Sequence, residues 1–226
     1  HEILLCTHKV FNATVGFPVI YNFQRVSDKT KHTLMKISLV TSNQQIESRS
    51  FLSYQYSQLE YESIPHNRFR LYFTKADHQL IRKIDLISNG MLGQFATGRT
   101  GVRSKIGQKN IINKESNGRT WAKGLISGAS ILRYAVSYDG FYINIDPALL
   151  NAGGWDYDVI HNPKILVRQT SDRLTASIDK DSFYHLNNIH SFSLKVKDLA
   201  LEFILSIFNS KLLNYYYQTT TLEKGR

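Results

Sequence analysis

Short β-like runs rich in Ile, Leu, Tyr and Phe recur at 33–40, 46–52, 54–61 and 69–74, and strand-like alternation with polar residues returns at 135–145, 164–170 and 174–179. A period of two demands pleated strands with one face turned to a core, so a chain carrying this many such runs is committed to sheet. Ten of its 25 Tyr and Phe fall in these stretches, where aromatic rings suit a half-buried pleated surface. A further strand is expected over 15–26, where Pro18 is tolerable only at an edge or at the strand's start. A polar break over 29–31 follows it. With 42% hydrophobic residues in a length of 226, the chain can bury a real core, as one large domain or two small ones.

Two segments switch to a period near 3.6. Thr74 with Asp77 has the spacing of a capping box, and Leu80, Ile81, Ile84 and Ile87 then share a helical face that Asn89-Gly90 closes. The second helix is expected from Asp198 as cap to about Tyr217, with Leu199, Phe203, Ile204, Ile207, Phe208, Leu212 and Tyr216 on one side. Of these, Phe203, Ile204, Ile207 and Phe208 are expected to be buried, since such a stripe left in water would aggregate. Between Gly93 and Gly128 the texture is different: seven glycines, seven Lys or Arg and few apolar runs predict loops and short strands. Turns are expected at 151–154 and at Ser171-Asp172. The chain has no internal repeat and no low-complexity tract.

Several chemistries are excluded. Gly93 to Thr100 has the glycine spacing of a phosphate-binding loop, but Arg99 stands where that motif needs Lys, and a helix precedes it where a buried strand should. It is read as a turn-rich loop whose Arg99, with Arg103 and Lys105, can approach a polyanion. His1, Cys6, His8, His185 and His190 show no metal-binding spacing. Asp156, Asp158, Asp179 and Asp181 alternate in pairs without the lysine partner of a Mg²⁺-dependent nuclease site, which gives them turn and cap roles. No Gly-x-Ser-x-Gly elbow occurs. A single cysteine, Cys6, cannot form an internal disulfide and points to a reducing compartment, the cytoplasm. No apolar run approaches the ~18 residues that span a bilayer, so no membrane partner is expected. The sequon at Asn12 stands without a secretory signal, and HEILLCTHKV reads as the edge of a longer polypeptide.

The basic residues are more informative by distribution than by number. The formal net charge is +10, and from Arg99 to Arg133 lie Arg99, Arg103, Lys105, Lys109, Lys114, Arg119, Lys123 and Arg133 against one acid, Glu115. A solvated face normally mixes both signs, so this one-sided run favours a polyanionic partner. Trp121, Tyr134, Tyr138 and Tyr142 interleave with it, placed either to stack on bases or to pack a core.

Two stretches bring a family into view. Pro163-Lys-Ile-Leu-Val-Arg168-Gln169, followed by Leu174-Thr-Ala-Ser-Ile-Asp179, resembles a strand pair in the C-terminal specificity domain of Taq-type adenine DNA methyltransferases and related restriction-modification enzymes. The closing LEFILSIFNSKLLNYYY, 201–217, is similar to that domain's terminal helix. The Gly98 to Gly101 segment resembles the family's glycine-plus-Thr segment, and Gly128-Ala-Ser-Ile131-Leu-Arg133-Tyr134 its "G-x-[DS]-I-x-[RK]-Y" segment, with Ser130 at the position that is often acidic. Residues 11–20 resemble the last strand of the catalytic domain, departing from it at Phe17-Pro18.

That resemblance implies a parent enzyme that binds S-adenosylmethionine and flips adenine into a pocket lined by an Asn/Asp-Pro-Pro-Tyr/Phe motif. Pro18, Pro65, Pro147 and Pro163 are nowhere adjacent, so this chain cannot supply that motif, and no cofactor is expected on it. Residues and resemblance together predict an α+β fold of mixed, largely antiparallel β-structure with at least two helices. Residues 1–30 are expected to be the tail of the catalytic domain and 31–226 the target recognition domain. The expected partners are double-stranded DNA and the catalytic domain of the same polypeptide, in a class of enzyme that the resemblance implies includes members fused to a nuclease. Arg99, Thr100, Arg103, Lys105, Arg119, Lys123 and Arg133 are the expected DNA contacts, Arg reading guanine edges and Lys holding phosphates. Arg168 and Gln169 fit either a DNA contact or a packed, hydrogen-bonded role. The rival readings are a basic protein-interaction module and a nuclease with an unrecognised site.

Overall fold

Over Leu34–Val40 Met35 and Ile37 are buried on one face and Ser38 and Val40 on the other, as suits an inner member of a four-stranded sheet. In the computed structural model, which describes residues 1–8, 10, 18–25, 27, 34–62, 64, 68–151 and 160–221, that strand is β3. It pairs in parallel with β1 (Glu2–Cys6) and antiparallel with β4 (Leu52–Ser57), while β2 (Val19–Asn22) pairs with β1 at the edge. Pro18 directly precedes β2, and its carbonyl accepts the Cys6 N–H at 3.0 Å. The proline thus sits at the start of an edge strand, where its missing donor costs nothing. The remainder of the strand expected over 15–26, the polar break and the Asn12 sequon fall outside the described residues in whole or part, as do Asp156 and Asp158.

Two expected strands in this region are not formed. Residues 43–48 are helix α1 (Asn43–Ser48), capped by the Ser42 hydroxyl and closed by Arg49 at φ 52°, and 69–74 is irregular. So few apolar residues do not distinguish strand from helix, and the Ser42 cap decides it. Helix α2 (Lys75–Ile87) starts as expected, with Thr74 Oγ1 accepting the Asp77 N–H at 3.1 Å and donating to the Asp77 carboxylate. It seats itself differently. Ile81 is buried, but Leu80 and Ile87 are exposed, and His78 anchors the helix by contacting the Glu60 carboxylate, the Tyr54 hydroxyl at 3.0 Å and the Tyr72 ring. These elements, residues 1–87 with 219–221, form one compact unit. The expected boundary near residue 30 falls inside it, between β2 and β3.

Residues 88–218 form a second unit. After α3 (Leu92–Phe95), its strands are β5 (Ala96–Thr100), β6 (Ile112–Asn113), β7 (Trp121–Leu125), β8 (Ile131–Leu132), β9 (Ala135–Val136), β10 (Tyr142–Asn144), β11 (Lys164–Arg168), β12 (Ala176–Asp179), β13 (Tyr184–His185) and β14 (Ile189–Leu194). They build one antiparallel sheet ordered β12-β11-β14-β5, a second ordered β13-β7-β10-β6, and the hairpin β8-β9. Strand pairing is antiparallel throughout the described residues except β1 with β3 and β13 with β7, so the fold is α+β with mixed, largely antiparallel sheets.

Period-two alternation along β11 sends Ile165 and Val167 to one face and Leu166 to the other. The first face packs with Ala176 under helix α4 (Leu201–Phe208), which contributes Ile204, Leu205 and Phe208. Leu166 joins Leu125, Ile131, Phe183 and Ile189 on the other side. Burial of each such side chain stabilises the fold by about 1.5–3 kcal/mol.

The long terminal helix is in fact two, α4 and α5 (Lys211–Thr221), and Asp198 lies outside both. The break is at Asn209, whose side chain accepts from the Ala176 N–H at 3.1 Å and donates to the Ala176 carbonyl at 3.0 Å. An amide that pairs with both groups of one residue acts as a strand neighbour would. Asn214 extends the seal, accepting the Leu174 N–H at 2.7 Å. Within α4 the buried face is Ile204, Leu205 and Phe208, whereas Phe203 and Ile207, expected in the core, are 55% and 40% exposed.

Candidate nucleic-acid interface

The run from Gly93 to Thr100 is not a loop. It is the turn of α3 followed by edge strand β5, paired residue for residue with β14, so its N–H groups point alternately into and away from the sheet along an extended strand and do not converge on an anion. A Cβ on Gly98 would lie 3.0 Å from the Phe192 ring, which closes that side of the strand. Arg99 and Thr100 are exposed at the strand's end, and the Arg99 guanidinium donates to the Gly98 carbonyl.

Gly101 then passes the chain between the two sheets. A Cβ there would stand 2.1 Å from the Leu186 carbonyl oxygen and 2.3 Å from that of His185, so no side chain fits at this crossing. Beyond it, Val102 bridges to Leu186 and Ser104 to Leu150, which leaves Arg103 and Lys105 exposed on either side of Ser104. The Lys105 ammonium donates to the Ala148 carbonyl at 3.3 Å.

The second sheet carries the next group. Lys123 on β7 lies opposite Tyr142 of β10, which lies opposite Asn113 of β6, so Lys114, the next residue, rises beside the same small sheet. The Lys114 ammonium sits 3.7 Å over the Phe141 ring, and that of Lys123 6.0 Å over Tyr138. Both rings hold a cation in place without neutralising it. Arg119 is exposed in the turn between β6 and β7, next to Gly118 at φ 121°. Arg133 is exposed at the tip of the β8-β9 hairpin. Among the described residues, none of Arg103, Lys105, Lys109, Lys114, Arg119, Lys123 and Arg133 makes an ion pair with a carboxylate.

Arg168 belongs to the frame. Its guanidinium donates to the carbonyls of Gly128 and Ile131, each at 2.8 Å, and its stem lies where a Cβ on Gly128 would be. Of the two roles the sequence left open, the structure gives it the packed one: it pins the base of the β8-β9 hairpin. Gln169 is exposed, and its N–H is held by the Asn188 carbonyl.

Behind this surface lies an ion pair that sequence reasoning missed. Lys164 and Asp179, adjacent across β11 and β12, are fully buried with Nζ 2.5 Å from Oδ2. The Lys164 ammonium also donates to the Ile160 carbonyl at 2.6 Å, and Asp179 accepts the N–H groups of Asp181 and Phe183. Burial pushes the Lys164 pKa below its usual value, opposed by the Asp179 charge. With its hydrogen bonds this complete, the pair sets strand register rather than offering a reactive group.

Among the described residues no three His, Cys, Asp or Glu side chains are grouped to hold a metal ion. Two clefts of the first unit, about 270 and 360 Å³, are lined by Phe23, Phe69 and their neighbours, with no carboxylate, histidine or cation. In the glycine-spaced segment Gly98 lies in strand β5 against the Phe192 ring, and no two prolines of the chain adjoin.

Residues 123–226, just under half of the chain and almost wholly within the second unit, match the family model of the TaqI-like C-terminal specificity domain. No curated protein matches the chain significantly. The matched stretch includes Lys123, the β8-β9 hairpin with Arg133, the Lys164–Asp179 strand pair and the Asn209 seal.

Proposed function

With residues 123–226 matching the TaqI-like C-terminal specificity domain, we propose that the chain is the part of an adenine-specific DNA methyltransferase, or combined restriction-modification enzyme, that recognises a target sequence in duplex DNA. The parent polypeptide supplies the catalytic domain and binds S-adenosylmethionine in the cytoplasm, and the second compact unit grips the duplex.

What carries this reading is that Arg103, Lys105, Lys109, Lys114, Arg119, Lys123 and Arg133 are exposed on the second unit with no carboxylate partner among the described residues. An array of this kind repels itself, and the phosphate backbone relieves the repulsion while releasing its own counterions. Arg103 and Arg99 have the planar fork that reads the O6 and N7 of guanine, whereas Lys105 and Lys123 act as point charges on phosphates. The test is made in the full enzyme, whose recognition sequence is found from its methylation pattern. Arg103→Ala should cost about 1–3 kcal/mol of binding on that target and much less on random duplex, relaxing preference at one base pair. Equal losses on target and random DNA would remove the base-reading role.

A further inference from the structure

Arg133 and Tyr134 form the two-residue tip of the β8-β9 hairpin, between Leu132 and Ala135, which face each other across it. So short a connection needs a residue with positive φ, ordinarily Gly or Asn. Here it is a tyrosine, at φ 69°. A bulky side chain in the left-handed region crowds its own backbone, a cost that Gly or Asn avoids. A fold retains such a conformation where the side chain has work outside local packing.

Local packing offers this ring little: Tyr134 is 65% exposed. The other three aromatics interleaved with the basic run are accounted for. Trp121 and Tyr142 are half-buried, and Tyr138 packs on Phe183 at 4.9 Å between centroids and donates to the Phe141 carbonyl. The tip itself is firmly mounted. Ile131 at its base is fully buried, Arg168 holds the Gly128 and Ile131 carbonyls, and the Tyr134 N–H reaches the same Ala176 carbonyl that Asn209 grips.

Resting on the DNA-binding reading above, we infer that Tyr134 is a stacking contact, its ring laid on the face of a DNA base that is unpaired or drawn out of its stack, with Arg133 beside it on the backbone. Tyrosine suits this task. Its rigid ring has only two torsions to immobilise, every base presents a π-face, and a neighbouring guanidinium adds attraction for phosphate. A ring held at the end of a braced hairpin arrives already oriented, so little freedom is lost on contact.

The test uses the full polypeptide and two labelled duplexes, one fully paired and one identical but for a single unpaired base. Affinity and melting temperature are measured for the wild type and for Tyr134→Gly, Tyr134→Asn and Tyr134→Phe. Gly and Asn accept the left-handed backbone but cannot stack, so both should bind roughly five- to hundredfold more weakly, with the larger loss on the duplex carrying the unpaired base. They should melt no lower than the wild type. Tyr134→Phe should bind as the wild type does. Wild-type affinity in the Gly and Asn variants would overturn the contact while leaving DNA recognition standing. So would a large drop in their melting temperature, which would give the ring a structural role, or a loss in Tyr134→Phe as deep as in Tyr134→Gly, which would assign the contact to the hydroxyl. A wild-type polypeptide that binds neither duplex would overturn the DNA reading and this inference with it.

Discussion

His185 is fully buried, its Nδ1–H directed at the Leu186 carbonyl at 3.3 Å and its Nε2 without a hydrogen-bond partner among the described residues. Burial pushes its pKa down to about 4 from 6.5, and the charge of Lys164 adds to the effect. The unfolded chain therefore takes up a proton below about pH 6.5 that the folded chain refuses. Stability should fall as pH drops through the window from 6.5 to about 4, by a total of about 3 kcal/mol. Urea unfolding across that range checks it, and His185→Gln should flatten the acid limb. An unchanged limb would show that carboxylates, not this imidazole, control acid unfolding. Sequence gave no sign of this burial, because His185 lies in a two-residue strand too short to show a period. Lys164 and Asp179 were equally opaque. They are 15 positions apart, and only the register of β11 against β12 makes them neighbours.

At the scale of the element, periodicity located both main helices but could not see what they pack on. The face read from 203 to 208 assumed an unbroken helix, and nothing in the spacing of Asn209-Ser210 announces a break. What decides it is the edge of β12, whose Ala176 N–H and carbonyl need partners that Asn209 supplies. Phe208→Ala should cost about 3–5 kcal/mol, since that ring is buried against Phe192 with centroids 5.5 Å apart. Phe203→Ala should cost less than about 1 kcal/mol, in keeping with its exposure. Asn209→Ala should cost about 1–3 kcal/mol by leaving backbone groups unpaired. Chemical denaturation of the three variants orders them, and equal losses at Phe203 and Phe208 would restore the single-helix face. The strand pair at 164–179 was legible because two strand-like runs flank a turn, whereas 46–52 has apolar residues only at Ile46, Phe51 and Leu52, which keep no period of two.

For the molecule as a whole, the one-sided basic run was the most legible functional feature, because charge near the surface stays visible in sequence whatever the fold does with it. The structure keeps those side chains exposed and distributes them over an edge strand, a crossing segment, a small sheet and a hairpin tip. It withdraws Arg168, whose family pattern alone could not separate a contact from a brace. On the proposed function these cations meet DNA phosphates, and the salt dependence of duplex binding in the full polypeptide, measured for the wild type, Lys105→Ala and Lys123→Ala, tests it. Each lysine that meets a phosphate contributes one counterion-release event, so the wild-type plot of log K against log salt should be steep and each variant should flatten it by about 0.9, on target and random duplex alike. Slopes that match the wild type in both variants would contradict the assignment of this surface to DNA.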